Sequence, residues 1–311
     1  MNTRQQSILT RAVHAGERAP RPDFTPVSTP IHPSVGYLYD SLDELDAIFD
    51  GAREGFVYPR FGSPTVAALE AAIAELEVGE AAYAFSSGMA AVHVAMLAAG
   101  VYAGAKIVTS IDLYGATHTL TQRLFPSLGV QAFMVDISSL DAVQTSLAKH
   151  RPAAMIVETI SNPLLKVADI SSLADLAHRY GAQMLVDNTF ATPYLYNPLE
   201  NGADYVIHSA TKYIGGHGDV MAGVVVTSAE NRKKLYEINK LVGSNLGPFE
   251  AWLALRGLKT LPLRLRQQCA NAANIAKWLS KHPRVARVYY PGLATHPQHS
   301  LSKRLLGKRG F

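Results

Sequence analysis

From Thr65 onward, apolar and polar positions alternate between two periods. Residues 65–77, TVAALEAAIAELE, carry apolar side chains at helical spacing, and Thr65 stands where a helix cap is expected. AAYAF (81–85) is a short apolar run that predicts a strand, and SSGMAAVHVAMLAAG (86–100) opens on Ser and Gly and continues as a helix. The pattern then repeats. KIVTS (106–110), VQAFMVD (130–136), AAMIVET (153–159), AQMLVDNT (182–189), DYVIHSAT (204–211) and AGVVVTS (222–228) read as strands. GATHTLTQRLFPSLG (115–129), SSLDAVQTSLAKH (138–150) and DISSLADLAHRYG (169–181) read as the helices among them. Strands made of unbroken β-branched runs are covered on both faces, so the prediction is an α/β fold with a mostly parallel sheet.

The two ends of the chain depart from this rhythm. Residues 1–60 are irregular and rich in proline, with enough apolar and aromatic residues to pack on something or reach a neighbour. After Ser228 the pattern is helical: AENRKKLYEINKLVG, PFEAWLALRGLKT and PLRLRQQCANAANIAKWLSKH. VARVYYPG (285–292) alternates like a strand opening a second domain. Three segments follow: an arm over 1–60, an α/β domain over 61–250, and linking helices with the start of a further α+β domain over 251–311.

Composition narrows the class. Of 311 residues, 48% are hydrophobic and 17% charged, and the net charge of +4 is mild. Those values suit a globular protein with a large core. Basic residues cluster only in SKRLLGKR, without a basic and aromatic module, which argues against nucleic acid as a partner. GMAAVHVAMLAAGVYAGA is broken by His93 and suits a buried helix better than a membrane span. The single cysteine, Cys269, allows no disulfide framework within the chain, and the N-terminal residues lack a signal-like apolar stretch. A cytoplasmic setting is expected.

Ligands of open parallel sheets bind beyond the C-terminal ends of the strands. Ser86, Ser87, Gly88 and Met89 follow one predicted strand, Asp112 and Tyr114 the next, Glu158 and Asn162 another, and Asp187, Asn188 and Thr189 another. In SSGMAA, a glycine at a helix start leaves N–H groups free for an anion, although a plain serine-capped turn explains it as well. Asp187 ends an apolar run, where a carboxylate needs a cationic or hydrogen-bonding partner or serves as a cap. Lys212 lies in HSATKYIGGHGDVMAG, between two core strands; kept from water, its amine becomes a nucleophile towards carbonyls. The three together meet the needs of pyridoxal 5'-phosphate (PLP): a phosphate anchor, a carboxylate for the ring nitrogen and a lysine for the aldehyde. Tyr114 supplies an aromatic ring to stack on it. A nucleotide-binding reading of SSGMAA finds no Gly-x-Gly-x-x-Gly run and no Walker motif, and the scattered histidines lack zinc spacing.

SSGMAA, LYGATHTL, ETISNP, YPRFGSPT and the segment from Asp187 to Gly223 closely resemble the trans-sulfuration enzymes of cysteine and methionine metabolism. That family includes cystathionine γ-synthase, the cystathionine γ- and β-lyases, methionine γ-lyase and the homoserine-ester sulfhydrylases. The resemblance covers nearly the whole chain. It implies an aspartate-aminotransferase-like architecture, PLP fold type I, and γ-elimination or γ-replacement on a sulfur amino acid or homoserine ester. It implies Lys212 as Schiff-base lysine and proton carrier, Asp187 at the ring nitrogen, and Tyr114 as the second catalytic residue, stacked on the ring, aiding Lys212 at the α-proton and helping to remove the leaving group. Ser87, Gly88, Met89, Ser209 and Thr211 would hold the phosphate, with Asn162 near the ring hydroxyl and Thr189 beside Asp187. Tyr58 and Arg60 would complete the site of a neighbouring subunit in a homodimer or homotetramer, since an arginine fork matches phosphate oxygens.

Four departures qualify the implied reaction. Ala116 stands where methionine γ-lyases usually carry Cys, and Val57 where cystathionine enzymes often carry an acid. Ser63 replaces the asparagine of GNPT. No residue before Phe311 matches the motif of the arginine that grips the substrate carboxylate, so a shortened chain that binds PLP without turnover stands as the alternative. The expectation leans to a homoserine ester or cystathionine as substrate, with methionine γ-lyase or O-acetyl- or O-succinylhomoserine sulfhydrylase activity as the other choice.

Overall fold

The computed structural model describes residues 25–307. By internal contacts the chain forms two units, Met1–Pro30 and Ile31–Phe311. The first lies almost wholly outside the described residues, with part of the predicted arm; the elements below belong to the second.

Seven of the eight predicted strands form, in one sheet: β1 (Ala81–Phe85), β2 (Lys106–Ser110), β3 (Gln131–Val135), β4 (Ala154–Glu158), β5 (Gln183–Asp187), β6 (Tyr205–Ser209) and β7 (Gly223–Thr227). Their order is β1-β7-β6-β5-β4-β2-β3. β2 to β6 are mutually parallel, and β7 runs antiparallel between β6 and β1. The connections leaving β2 and β4 travel in opposite directions along the sheet, so a crevice opens above the carboxyl ends of these neighbours.

The helices among the described residues are α1 (Leu42–Phe49), α2 (Pro64–Glu77), α3 (Gly88–Ala98), α4 (Gly115–Thr119), α5 (Leu140–His150), α6 (Ile170–Arg179), α7 (Thr192–Leu195), α8 (Ala229–Val242), α9 (Pro248–Leu258), α10 (Leu261–Leu279) and α11 (His299–Leu306). A π-helical turn, Leu120–Leu124, and one closing turn, Phe125–Ser127, continue α4. Leu69, Ile73, Leu173 and Ala254 fill one face of the sheet, and Val92, Met96 and Leu235 fill the other. The β-branched strands are thus buried on both sides, as their composition requires. Among the described residues, no helix is long and apolar enough to cross a membrane.

Three expectations need correction. Thr65 does not cap α2: Ser63 holds that position, Pro64 takes the first turn, and Thr65 is buried with its Oγ1 accepting from His32 N at 2.9 Å. Residues 285–290 form no strand, because no strand among the described residues lies beside them to complete a ladder. The arm is not irregular throughout. α1 forms because Ser41 caps it, accepting from Glu44 N at 3.2 Å, with Asp43 and Glu44 in its first turn.

Candidate active site

One cavity of about 280 Å³ opens at the carboxyl ends of the strands. Ser87, Gly88, Met89, Tyr114, Asn162, Asp187, Thr189, Ser209, Thr211 and Lys212 all line it. Ten of the twelve predicted site residues are therefore gathered from five separate stretches of chain. Tyr58 and Arg60 are not in the lining. Both are exposed, and the Arg60 guanidinium lies 4.6 Å from the centre of the Tyr58 ring.

The α3 end of the cavity follows from its sequence. Ser87 is extended and caps the helix, its Oγ accepting from Ala90 N at 3.1 Å. Gly88 and Met89 are the first two helical residues, so their N–H groups have no intrahelical acceptor and point outward with the positive end of the helix. Gly88 cannot be larger: a Cβ there would lie 2.8 Å from Ser209 Cβ and 2.9 Å from its Oγ. That close approach brings the Ser209 hydroxyl beside the helix start. Thr211 Oγ1 donates to Ala222 O at 3.2 Å and accepts from Ala222 N at 3.0 Å, fixing the turn that carries Lys212. Free N–H groups, hydroxyls and a lysine form the donor set that a phosphate and an aldehyde need.

At the opposite end stand two carboxylates in register, Glu158 ending β4 and Asp187 ending β5. Withdrawal from solvent pushes the Asp187 carboxyl up from its ordinary value, and hydrogen bonds from Thr189 oppose the rise; Thr189 N donates to Oδ1 at 3.0 Å. Thr189 Oγ1 also accepts from Ser209 N at 2.8 Å, linking the Asp187 strand end to the α3 end of the cavity. A partly buried carboxylate in this state favours a cationic partner, as a protonated ring nitrogen would be.

Glu158 is a residue that the sequence reading placed at a strand end but gave no role. It lines the cavity at 6% exposure. Its Oε1 accepts from Tyr114 N and its Oε2 from Asn162 N at 3.0 Å. One side chain thus fixes the backbone of two residues that line the cavity. Burial, and next the Asp187 charge, push its carboxyl up to about 8 against those two N–H donors. Asp112, the other candidate, turns instead to Lys166 Nζ at 2.6 Å, a bond that raises the lysine. Lys212 is exposed, which corrects the expectation of a shielded amine: the described residues leave the mouth of the cavity open.

The donor set and the cradle fit PLP, and the comparisons with known proteins decide the matter. Residues 9–311 match the family model described as Cys/Met metabolism PLP-dependent enzyme. The chain belongs to that family. It is 40% identical over 307 residues to an L-methionine γ-lyase of Fusobacterium nucleatum subsp. polymorphum, covering 98% of this chain and 77% of the lyase. It is 45% identical over 303 residues to a cystathionine γ-synthase of Mycobacterium tuberculosis (strain ATCC 25618 / H37Rv), covering 97% of this chain and 75% of the synthase. The crystal structure of a putative O-acetylhomoserine (thiol)-lyase from Campylobacter jejuni subsp. jejuni NCTC 11168 superposes with a TM-score of 0.85 at 28% identity, over 92% of this chain and 78% of the lyase. That structure contains N'-pyridoxyl-lysine-5'-monophosphate. The fold is PLP fold type I, the cofactor is PLP, and the reaction class is the γ-elimination and γ-replacement of trans-sulfuration. Small amino-acid substrates fit this family.

Proposed function

We propose that the chain catalyses γ-replacement or γ-elimination on a homoserine ester or cystathionine, with Lys212 as the residue that binds the cofactor and moves the protons. The observation that carries this reading is the gathering of Lys212, Asp187, Tyr114 and the start of α3 around one cavity. When bound, PLP supplies an aldehyde for the substrate amine and a ring that accepts the electrons of a broken C–H bond. In this reading Lys212 takes a proton from the substrate α-carbon and relays protons onward, as a general base and acid. Asp187 holds negative charge at the ring nitrogen. Gly88, Met89 and Ser209 donate to the phosphate with Ser87 shaping the turn, and Thr211 joins them when its hydroxyl turns from Ala222 O; Asn162 stands by the ring hydroxyl, and Tyr114 covers the ring and aids Lys212 in removing the proton and the leaving group. Thr189 orients Asp187.

Ala116, in place of the cysteine usual in methionine γ-lyases, supports the choice against methionine. The likeness to a methionine γ-lyase keeps that activity as the second reading. Assays with O-acetyl- or O-succinyl-L-homoserine plus L-cysteine, with L-cystathionine and with L-methionine test the choice. Turnover of an ester or cystathionine is expected; preferred breakdown of methionine would reverse it. Tight PLP binding without product from any of them would favour the binding-only alternative.

Tyr58 and Arg60 are exposed and lie outside the lining of the cavity, and Leu38, Leu42 and Phe49 of the same segment are exposed too. These positions support a homodimer or homotetramer in which Tyr58 and Arg60 complete the neighbouring site, which sedimentation of the loaded protein tests. We further assign residues 1–60 as the inter-subunit arm, 61–250 as the cofactor-binding domain and 251–311 as the linking helices. A cytoplasmic setting, in keeping with the free buried thiol of Cys269, belongs to the same proposal.

A further inference from the structure

Arg264 lies outside the cavity lining, in the first turns of α10. Its guanidinium has no carboxylate partner among the described ion pairs. It is half-buried, and four hydrogen bonds to uncharged acceptors hold it. Nη1 donates to Tyr213 O at 2.7 Å, and Nη2 donates to Ile214 O at 3.3 Å and to Gly257 O at 2.8 Å. Nε donates to Thr260 Oγ1 at 3.0 Å. Two of these carbonyls directly follow Lys212. Gly257 belongs to the last turn of α9, where carbonyls lack intrahelical donors and the helix dipole favours a cation.

Two glycines make room for this joint. Gly216 has φ +75°, and a Cβ there would lie 2.2 Å from Arg264 Nη1. A Cβ on Gly257 would lie 2.1 Å from Gly215 O and 2.8 Å from Ile214 O. The Lys212 turn therefore lies directly against α9, with the guanidinium as the clasp.

The backbone on either side of Lys212 is consequently tied to different elements. Before it, Thr211 is bonded reciprocally to Ala222. After it, Tyr213 is bonded to Arg264. Within the turn, Lys212 N donates to Ser209 O at 3.1 Å and Gly216 N donates to Lys212 O at 2.8 Å. A lysine side chain has four rotatable carbons and little direction of its own, so the reach of its amine depends on where its Cα is held. Reacting groups must be held to about half an ångström for full effect.

We propose that Arg264 is a positioning residue for Lys212, a clasp that fixes the lysine turn against the α9–α10 junction so that the amine meets the cofactor aldehyde. The inference rests on Lys212 being the lysine that PLP joins.

The test compares two ligands on the cofactor-free chain. PLP bears an aldehyde that Lys212 can join. Pyridoxamine 5'-phosphate presents the same ring and phosphate with an amine in place of that aldehyde. Binding of each is measured by calorimetry, and the covalent link by visible absorbance. Loss of charged hydrogen bonds predicts that Arg264→Met weakens PLP about tenfold and slows appearance of the visible band, while pyridoxamine 5'-phosphate stays within about twofold. Arg264→Lys, which keeps the charge without the fork, should fall between. A purely structural role would weaken both ligands alike, and that result, or no change in either, would overturn the proposal. If Arg264→Met does not fold, Thr260→Val removes the Nε acceptor, together with the 3.2 Å bond that Thr260 Oγ1 donates to Gly257 O, and should weaken PLP alone, by about twofold to threefold; equal effects on both ligands, or none, again overturn it. No visible band in the unsubstituted chain would defeat the assignment of Lys212 itself, and the clasp with it. A normal band in both the parent and Arg264→Met defeats only the clasp.

Discussion

Replacing Glu77 by alanine should destabilise the fold and loosen the site together. Glu77 and His208 are fully buried, with His208 Nε2 at 2.6 Å from Oε1. Asn188 Nδ2 donates to the same oxygen at 2.8 Å and Asn197 Nδ2 to Oε2 at 3.3 Å. Thr159 Oγ1 closes the cluster by donating to Asn188 Oδ1 at 2.7 Å. Thr159, Asn188 and His208 adjoin Glu158, Asp187 and Ser209, so this network underlies three strand ends of the cavity. On removal of Glu77, Asn188 keeps Tyr196 O at 2.9 Å and Asn197 keeps Leu76 O at 2.8 Å. His208 keeps nothing, because its Nδ1 has no partner among the described residues. Breaking a buried pair and orphaning one ring costs about 3–5 kcal/mol. At roughly 2–3 °C per kcal/mol for a chain of this size, the melting temperature should drop by about 6–15 °C. Calorimetry and urea unfolding of the cofactor-free chain measure this directly. Glu77→Gln keeps the shape and an acceptor oxygen, and should cost about 1–2 kcal/mol. Glu77→Ala within about 1 kcal/mol of the parent, or no worse than Glu77→Gln, would refute the reasoning.

Other substitutions probe the cavity more locally. Glu158 has a folded value of about 8 against an ordinary 4.5, so the folded chain keeps a proton that the unfolded chain releases. Stability of the cofactor-free chain should therefore fall as pH rises from about 4.5 to about 8, by at most about 1.4 kcal/mol per pH unit for this group. Glu158→Gln should flatten that slope in urea titrations; an unchanged slope would assign it elsewhere. Tyr114→Phe keeps the ring and removes the hydroxyl, so cofactor absorbance should persist while kcat falls by about 10- to 100-fold; an unchanged kcat would remove the hydroxyl from the reaction. Gly88→Ala places a Cβ against Ser209, and the shift should weaken PLP by about tenfold, read by equilibrium dialysis.

What the chain disclosed in advance follows from which forces are local. β4, β5 and β7 carry the apolar runs 154–157, 184–186 and 224–226 because both faces are buried, and α3 and α5 announce themselves by their serine caps, Ser87 and Ser139. The spacing of Ser41 and Glu44 carried the same signal for α1 in a proline-rich setting that hid it. The apolar alternation of 285–292 resembles a strand, but a strand needs a neighbour, and no local pattern reveals one. The antiparallel direction of β7 is likewise absent from GVVVT. Candidate residues defined by type, such as Lys212 and Asp187, were legible as lining of one cavity. Those defined by partners were not: Glu158 holds Tyr114 from 44 residues away and Arg264 holds Tyr213 from 51.

Whether Lys212 joins the cofactor at this cavity is read by reducing the PLP-loaded protein with borohydride, then digesting it for mass spectrometry. A pyridoxyl group is expected on the peptide bearing Lys212, and none in Lys212→Ala. A pyridoxyl group on another lysine of the unsubstituted protein would overturn the assignment of Lys212.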